Sequence, residues 1–148
     1  METIHFASYG GIFFRKSQAF MKAAFKKIGL SFVDSIVLIN VCEHPEIIQD
    51  QIAANLALDA AAVARSLKQM EADGLVTREI DENNQRTKKV HATAKGKKSK
   101  VYIDTVMKRW NEHALEGFTE AEKKSVIAGL LRLSRNVSSV DMDTLLRE

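Results

Sequence analysis

Residues 46–79 read EIIQDQIAANLALDAAAVARSLKQMEADGLVTRE, and the fold turns on how this stretch divides. Ile52 and Leu56 fall on one face of a short helix beginning near Gln49. The residues around Ala57 and Leu58 make a brief turn. Asp59 is then a good N-cap for a second helix, because its carboxylate can accept from the free amide hydrogens of the first turn. Val63, Leu67 and Met70 share one face of that helix, and Gly74 is placed to be its C′ residue. Two helices joined by a tight turn match the helix-turn-helix pattern.

Beyond Gly74 the period changes from helical to alternating. LVTREI (75–80) and KKVHAT (88–93) are short and partly β-branched, and the residues from Asp81 to Thr87 between them are polar turn formers. A hairpin attached directly to a helix-turn-helix predicts a winged arrangement. From Arg86 to Lys100 the chain carries seven basic residues and no acidic one.

Toward the N-terminus, Ile12, Phe13, Ala19, Phe20, Ala24 and Ile28 recur at helical spacing between Arg15, Lys16, Lys22 and Lys26, which predicts an amphipathic helix from about Tyr9 to Ile28 ended by Gly29. A second helix, about Val33 to Glu43, is closed by Pro45, which biases His44 away from the helical region. On the other side, Thr93 is placed to cap a long helix over about Ala94 to Leu115. Thr119 with Glu122 forms a capping box for the last one, about Glu120 to Val137. Ile103, Val106, Trp110 and His113 step by three and four, as do Val126, Leu130, Leu133, Val137 and Val140. Such seams want a partner helix.

The expected architecture is therefore mainly α with a small β-hairpin wing, in a single domain over residues 1–148. Residues 33–96 form a winged helix-turn-helix lobe, and the helices of 1–32 and 97–148 form a dimerisation region that packs both termini together and across to a second subunit. The totals agree: 148 residues is one domain's worth, able to bury roughly 68–70% of its unfolded surface. A hydrophobic share of 45% is enough for a core, and one proline with seven glycines leaves room for little besides helix. A single cysteine, Cys42, rules out an intramolecular disulfide and favours a reducing compartment. With no apolar run near the roughly 20 residues of a membrane span, and an N-terminus, METIHFASYGG, unlike a signal peptide, a cytoplasmic protein is expected.

A net charge of +3 is mild, so clustering carries the functional argument. On a 100° wheel the face opposite Val63, Leu67 and Met70 carries Ala61, Arg65, Lys68 and Ala72. Arg65 lies in the first half of the helix, where helix-turn-helix proteins reach base edges. It is expected to read a base, guanine through its O6 and N7 acceptors, with Lys68 on phosphate or base. Ala60, Ala61, Ala62 and Ala64 let the helix sit deep but offer no hydrogen bonds, which shifts sequence preference toward few contacts, thymine methyls and DNA shape. Arg86, Lys88 and Lys89 near the wing tip would straddle the backbone, with Arg86 best placed for the narrow minor groove. Lys95, Lys97, Lys98 and Lys100 would add phosphate contacts. The expected partner is double-stranded DNA. A rival reading keeps the winged fold as a non-enzymatic protein-interaction module without specific DNA binding, its basic hairpin serving solubility alone.

No nucleophile-base pair, glycine-rich phosphate loop or cluster of carboxylates occurs, so no catalysis and no cofactor is assigned, and the expected protein is not an enzyme. His5, His44, His91 and His113 are scattered, with no pair at i, i+4, and no metal site is expected. Cys42, with Glu43 beside it rather than an activating cation, reads as a buried structural thiol. Trp110, Phe13, Phe14 and Phe20 read as core or dimer interface.

The ordered set from about Ser31 to Gly96 resembles the MarR family of bacterial transcriptional regulators. The residues that carry it are QDQIAANLALDAAAVARSLKQMEADGLVTRE and the wing DENNQRTKKVHATAKG, which looks like that family's Asp-x-Arg tip followed by a strand and a Leu-Thr-x-x-Gly helix start. The resemblance implies a homodimer with interlocked terminal helices, whose two winged lobes grip a pseudopalindromic operator. It further implies a repressor more often than an activator, released when a small-molecule effector, an oxidant or a metal shifts the lobes. Arg86 matches the family's wing Arg and Arg65 its recognition-helix Arg. A ligand cavity lined by Phe14, Phe32 or Ile36 is implied between the dimerisation helices and the lobe. Three positions depart from the pattern: Asn84 stands where the Asp that orients the wing Arg is usual, Ala62 and Ala64 replace Ser or Thr, and Ala92 replaces Leu before Thr93. The expected DNA-binding set is Ala61, Arg65, Lys68, Asn84, Arg86, Lys88 and Lys89.

Overall fold

In the computed structural model, which describes residues 3–147, the first helix, α1 (Thr3–Lys26), starts six residues before the predicted Tyr9. Gly10 and Gly11 lower local propensity, which hides the earlier start in the sequence. Its end is as predicted. Gly29 sits at φ 73°, its amide donates to the Lys26 carbonyl and that of Leu30 to the Phe25 carbonyl, the paired bonds of a Schellman motif. α2 (Phe32–Glu43) begins at a capping box, Ser31 Oγ accepting from the Asp34 amide at 3.0 Å and Asp34 Oδ2 from the Ser31 amide at 3.4 Å. It stops at His44, before Pro45.

Next comes an element the sequence does not announce, the two-residue strand β1 (Ile47–Ile48). The helix-turn-helix follows as α3 (Gln49–Leu56) and α4 (Ala60–Ala72). Ala57 turns the chain between them in left-handed backbone, and Asp59 Oδ1 caps α4 by accepting from the Ala62 amide at 2.8 Å. Gly74, at φ 73°, closes α4 with a second Schellman pair.

The wing is β2 (Val76–Asp81) and β3 (Asn84–Ala92), and the sheet order is β1-β3-β2, antiparallel throughout. Regular pairing runs from Val76↔Ala92 to Ile80↔Lys88. The register then shifts, so that Asp81 faces Asn84. The predicted turn region, 81–87, is thus where regular pairing ends, although strand geometry continues nearly to the tip. α5 (Ala94–Ala114) starts at Thr93, whose Oγ1 accepts from the Gly96 amide at 3.0 Å.

The chain forms two compact units, Met1–Trp110 and Asn111–Glu148. In the first, one continuous core gathers Phe25, Val37, Leu38, Val41, Ile52, Val63, Leu67, Met70, Val76, Val90 and Ile103, all nearly inaccessible to water. At about 25 cal/mol per Å² of apolar surface, such side chains contribute roughly 1.5–3 kcal/mol each. The predicted inner face of α4 is this core's floor. The second unit contains α6 (Glu120–Ser138), opened by the predicted Thr119–Glu122 capping box, and the short α7 (Met142–Leu145), an additional helix capped by Asp141. α6 buries none of its residues, and Ile127, Leu130, Leu131 and Val137 are about half exposed or more. Among the described residues, no helix is long and apolar enough to cross a membrane.

Candidate nucleic-acid interface

The outward face of α4 follows from what its inward face buries. Val63, Leu67 and Met70 have no accessible surface, and a period of 3.6 turns Ala61, Arg65, Lys68 and Ala72 to the solvent, where all four are exposed. Polar contacts hold the helix at both ends. Gln49 Nε2 donates to the Ala60 carbonyl at 3.3 Å, tying the start of α3 to the first turn of α4. At the other end, Lys95 Nζ donates to the Asp73 carbonyl at 2.7 Å and Thr93 Oγ1 to the Gly74 carbonyl at 2.6 Å. Gly96 lets α5 come this close, since a Cβ there would collide with the Leu75 carbonyl oxygen. Midway, the buried Ser66 hydroxyl donates to Asp34 Oδ1 on α2 at 2.6 Å. None of these contacts is readable from the sequence.

The wing places its basic residues on two faces. Arg86 and Lys88 line a cleft with Arg78, Val90, Leu67 and the first residues of α3, Gln49 and Asp50. Lys89, one residue along the strand, points to the other face, where it is half-buried with its ammonium 3.5 Å from Glu46 Oε1. The expected site residues Arg86 and Lys88 are therefore brought together near the helix-turn-helix, and Lys89 is set apart from them. Asn84 Oδ1 accepts from the Arg86 amide at 3.1 Å, so it fixes the backbone of Arg86. Arg78 braces the wing against α4: its Nη2 and Nε reach Glu71 Oε2 at 2.6 and 3.1 Å, and this bonding holds the Glu71 carboxyl below its ordinary pKa.

Of the four lysines expected to add phosphate contacts, Lys95 caps α4 and Lys100 is held by Asp104 at 2.7 Å, which raises its pKa, while Lys97 and Lys98 are exposed. Cys42 is partly buried and its thiol is pushed up by desolvation. Contrary to the expectation that no cation is near, Lys100 and Lys97 act in the opposite direction, and burial outweighs them. Phe32 lines a cavity between α1 and α2 with Gln18, Ala19, Lys22, Ser31 and Val33. Phe14 and Ile36, also expected at a ligand cavity, do not line this one.

The sequence profile of the MarR family matches residues 36–88, from α2 to Lys88 of the wing. YybA, an HTH-type transcriptional regulator of Bacillus subtilis, is 34% identical over 131 residues, 86% of this chain and 85% of its own. This chain belongs to the MarR family. The chain is also similar to the transcriptional regulator SlyA, whose crystal structure is 32% identical, with a TM-score of 0.83 over 90% of this chain and 94% of that one. A MarR family regulator from Listeria monocytogenes, crystallised with a 26mer DNA, is 28% identical, with a TM-score of 0.87 over 93% and 91% of the two chains. The chain is accordingly a transcriptional regulator of MarR type, and its mainly helical fold with a small three-stranded wing is that of its relatives.

Proposed function

We propose that this MarR-type regulator is a homodimeric, sequence-specific DNA-binding repressor that a small-molecule ligand releases from its operator. The observation that carries the DNA-binding reading is the exposed Arg65–Lys68 face of α4, with Arg86 and Lys88 on the wing cleft beside the same helix-turn-helix. In this reading the lobe of residues 33–96 sits with α4 in the major groove. Arg65 reads a base edge, Lys68 a phosphate or base, and Ala61 makes close apolar contact. Arg86 enters the minor groove, with Asn84 holding its backbone, and Lys88 takes phosphate. Lys89 has the weakest claim, because it faces Glu46.

Support for a dimer comes from apolar surface on the terminal helices. Tyr9, Ile12, Phe13 and Phe14 on α1 are about half exposed or more, as are Ile127, Leu130 and Leu131 on α6. An exposed apolar row on each of these helices marks an interface. Two lobes related by a twofold axis would then meet a pseudopalindromic operator. The α1–α2 cavity, apolar at Phe32 and Val33 and cationic at Lys22, supports an effector with an aromatic body and an anionic group.

Arg65→Ala tests the reading. Removing a bidentate guanine bond should cost about 1–3 kcal/mol of discrimination and leave dimerisation alone. Operator affinity unchanged by this substitution would contradict the assignment of α4.

A further inference from the structure

The apolar contacts of Val63, Leu67 and Met70 hold α4 against the core without directional preference, and such contacts tolerate a small roll of the helix about its axis. A roll of about 15° moves a side-chain tip on a helix of roughly 6 Å radius through about 1.5 Å, half a hydrogen-bond length. A base contact by Arg65 does not survive that. Directional contacts must set the roll, and besides those at the ends of α4 and the Arg78–Glu71 brace, one bond stands at mid-helix beside Arg65. Ser66, the residue after Arg65, is 5% exposed, and its hydroxyl donates to Asp34 Oδ1 at 2.6 Å, the length of a charge-assisted bond.

Asp34 is itself fixed. Its amide donates to Ser31 Oγ at 3.0 Å and its Oδ2 accepts from the Ser31 amide at 3.4 Å, so the carboxylate is clamped at the third position of α2. The two carboxylate oxygens thus have separate tasks, one closing the start of α2 and one gripping the back of α4. Val33, Asp34, Ala62, Arg65, Ser66 and Gln69 line one shallow cleft, which places this grip beside the Arg65 side chain.

We propose that Asp34 is the positioning residue of the recognition helix: through Ser66 it sets the roll of α4, and with it the discrimination that Arg65 exerts. The inference rests on the DNA-binding reading above. It has a consequence for regulation, because Ser31 and Val33 also line the α1–α2 cavity, so an occupant that disturbs the start of α2 acts on α4 through Asp34.

The experiment measures binding to the tightest duplex selected from a random-sequence pool and to scrambled DNA, together with thermal midpoints, for the full chain and its variants. Ser66→Ala and Asp34→Ala should each lower the specific-to-scrambled ratio about tenfold, the worth of one base contact, with scrambled-DNA affinity held within about twofold. The double variant should be no worse than the poorer single one, since both remove the same bond. Asp34→Asn keeps an acceptor for Ser66 and loses the one facing the Ser31 amide. It should lower the thermal midpoint yet retain the ratio that Asp34→Ala loses, a split between the two variants that a merely structural role for Asp34 does not produce. A specific parent whose Ser66→Ala and Asp34→Ala variants keep the ratio overturns this inference alone. A parent that does not discriminate between the two duplexes overturns the DNA-binding reading, and the inference with it.

Discussion

Ala57 carries the α3–α4 turn at φ 51°, with the Leu58 amide donating to the Ala53 carbonyl at 3.0 Å in the bonding that glycine makes at Gly29 and Gly74. An alanine Cβ in left-handed backbone costs about 1–2 kcal/mol. Glycine removes that strain but adds conformational freedom to the unfolded chain, which offsets part of the gain. Ala57→Gly should accordingly stabilise by about 0.5–1 kcal/mol, read as a higher denaturant midpoint at unchanged slope. A lowered midpoint would mean that the Cβ packs rather than strains. Gly96 carries the opposite constraint: its missing Cβ is space that the Leu75 carbonyl occupies, and Gly96→Ala should destabilise by about 2 kcal/mol or more. Since Thr93 and Lys95 bond the Gly74 and Asp73 carbonyls just past α4 at the same place, wing and recognition helix should loosen together, which hydrogen exchange at Leu75 and Val76 would report.

Among the elements, those whose ends are written in local chemistry are legible in sequence. Asp59, Gly74, Gly29 and Thr119 cap or close their helices where expected, because a capping bond spans three residues and needs no tertiary partner. β1 is not legible. Two residues carry no period, and Ile47–Ile48 is a strand only because Val90 and Lys89 pair with it. At the site, the outward face of α4 can be read from the wheel, since burial of Val63, Leu67 and Met70 dictates it. The side of Lys89 is also within reach of sequence, because strand alternation groups Lys88 with the apolar Val90 and turns Lys89 away. Asp34–Ser66, 32 residues apart, is not. The wing supplies its own prediction. Arg86→Ala should weaken binding nearly uniformly across sequences and flatten the dependence of log affinity on log salt by about one unit for each phosphate that is no longer neutralised. A weakening confined to one base position would instead make Arg86 a base reader.

For the whole molecule, charge and apolar surface argue together. A net charge of +3 is too small to bind nucleic acid by itself, so affinity must come from where the cations stand. In the proposed dimer a second copy covers the apolar faces of α1 and α6. Leu130→Asp with Leu131→Asp should halve the mass seen by sedimentation and reduce operator affinity, because one half-site alone then holds each lobe. A parent chain that sediments as a monomer would contradict the dimer. The central claim, that this surface reads DNA sequence, is tested most directly by titrating the purified protein, at several salt concentrations, on the duplex just upstream of its own gene and on the same duplex scrambled. The account predicts affinity about 10³-fold or more above the scrambled control, maintained at physiological salt. Equal, weak binding to both that vanishes as salt rises would leave only a basic surface and would contradict it.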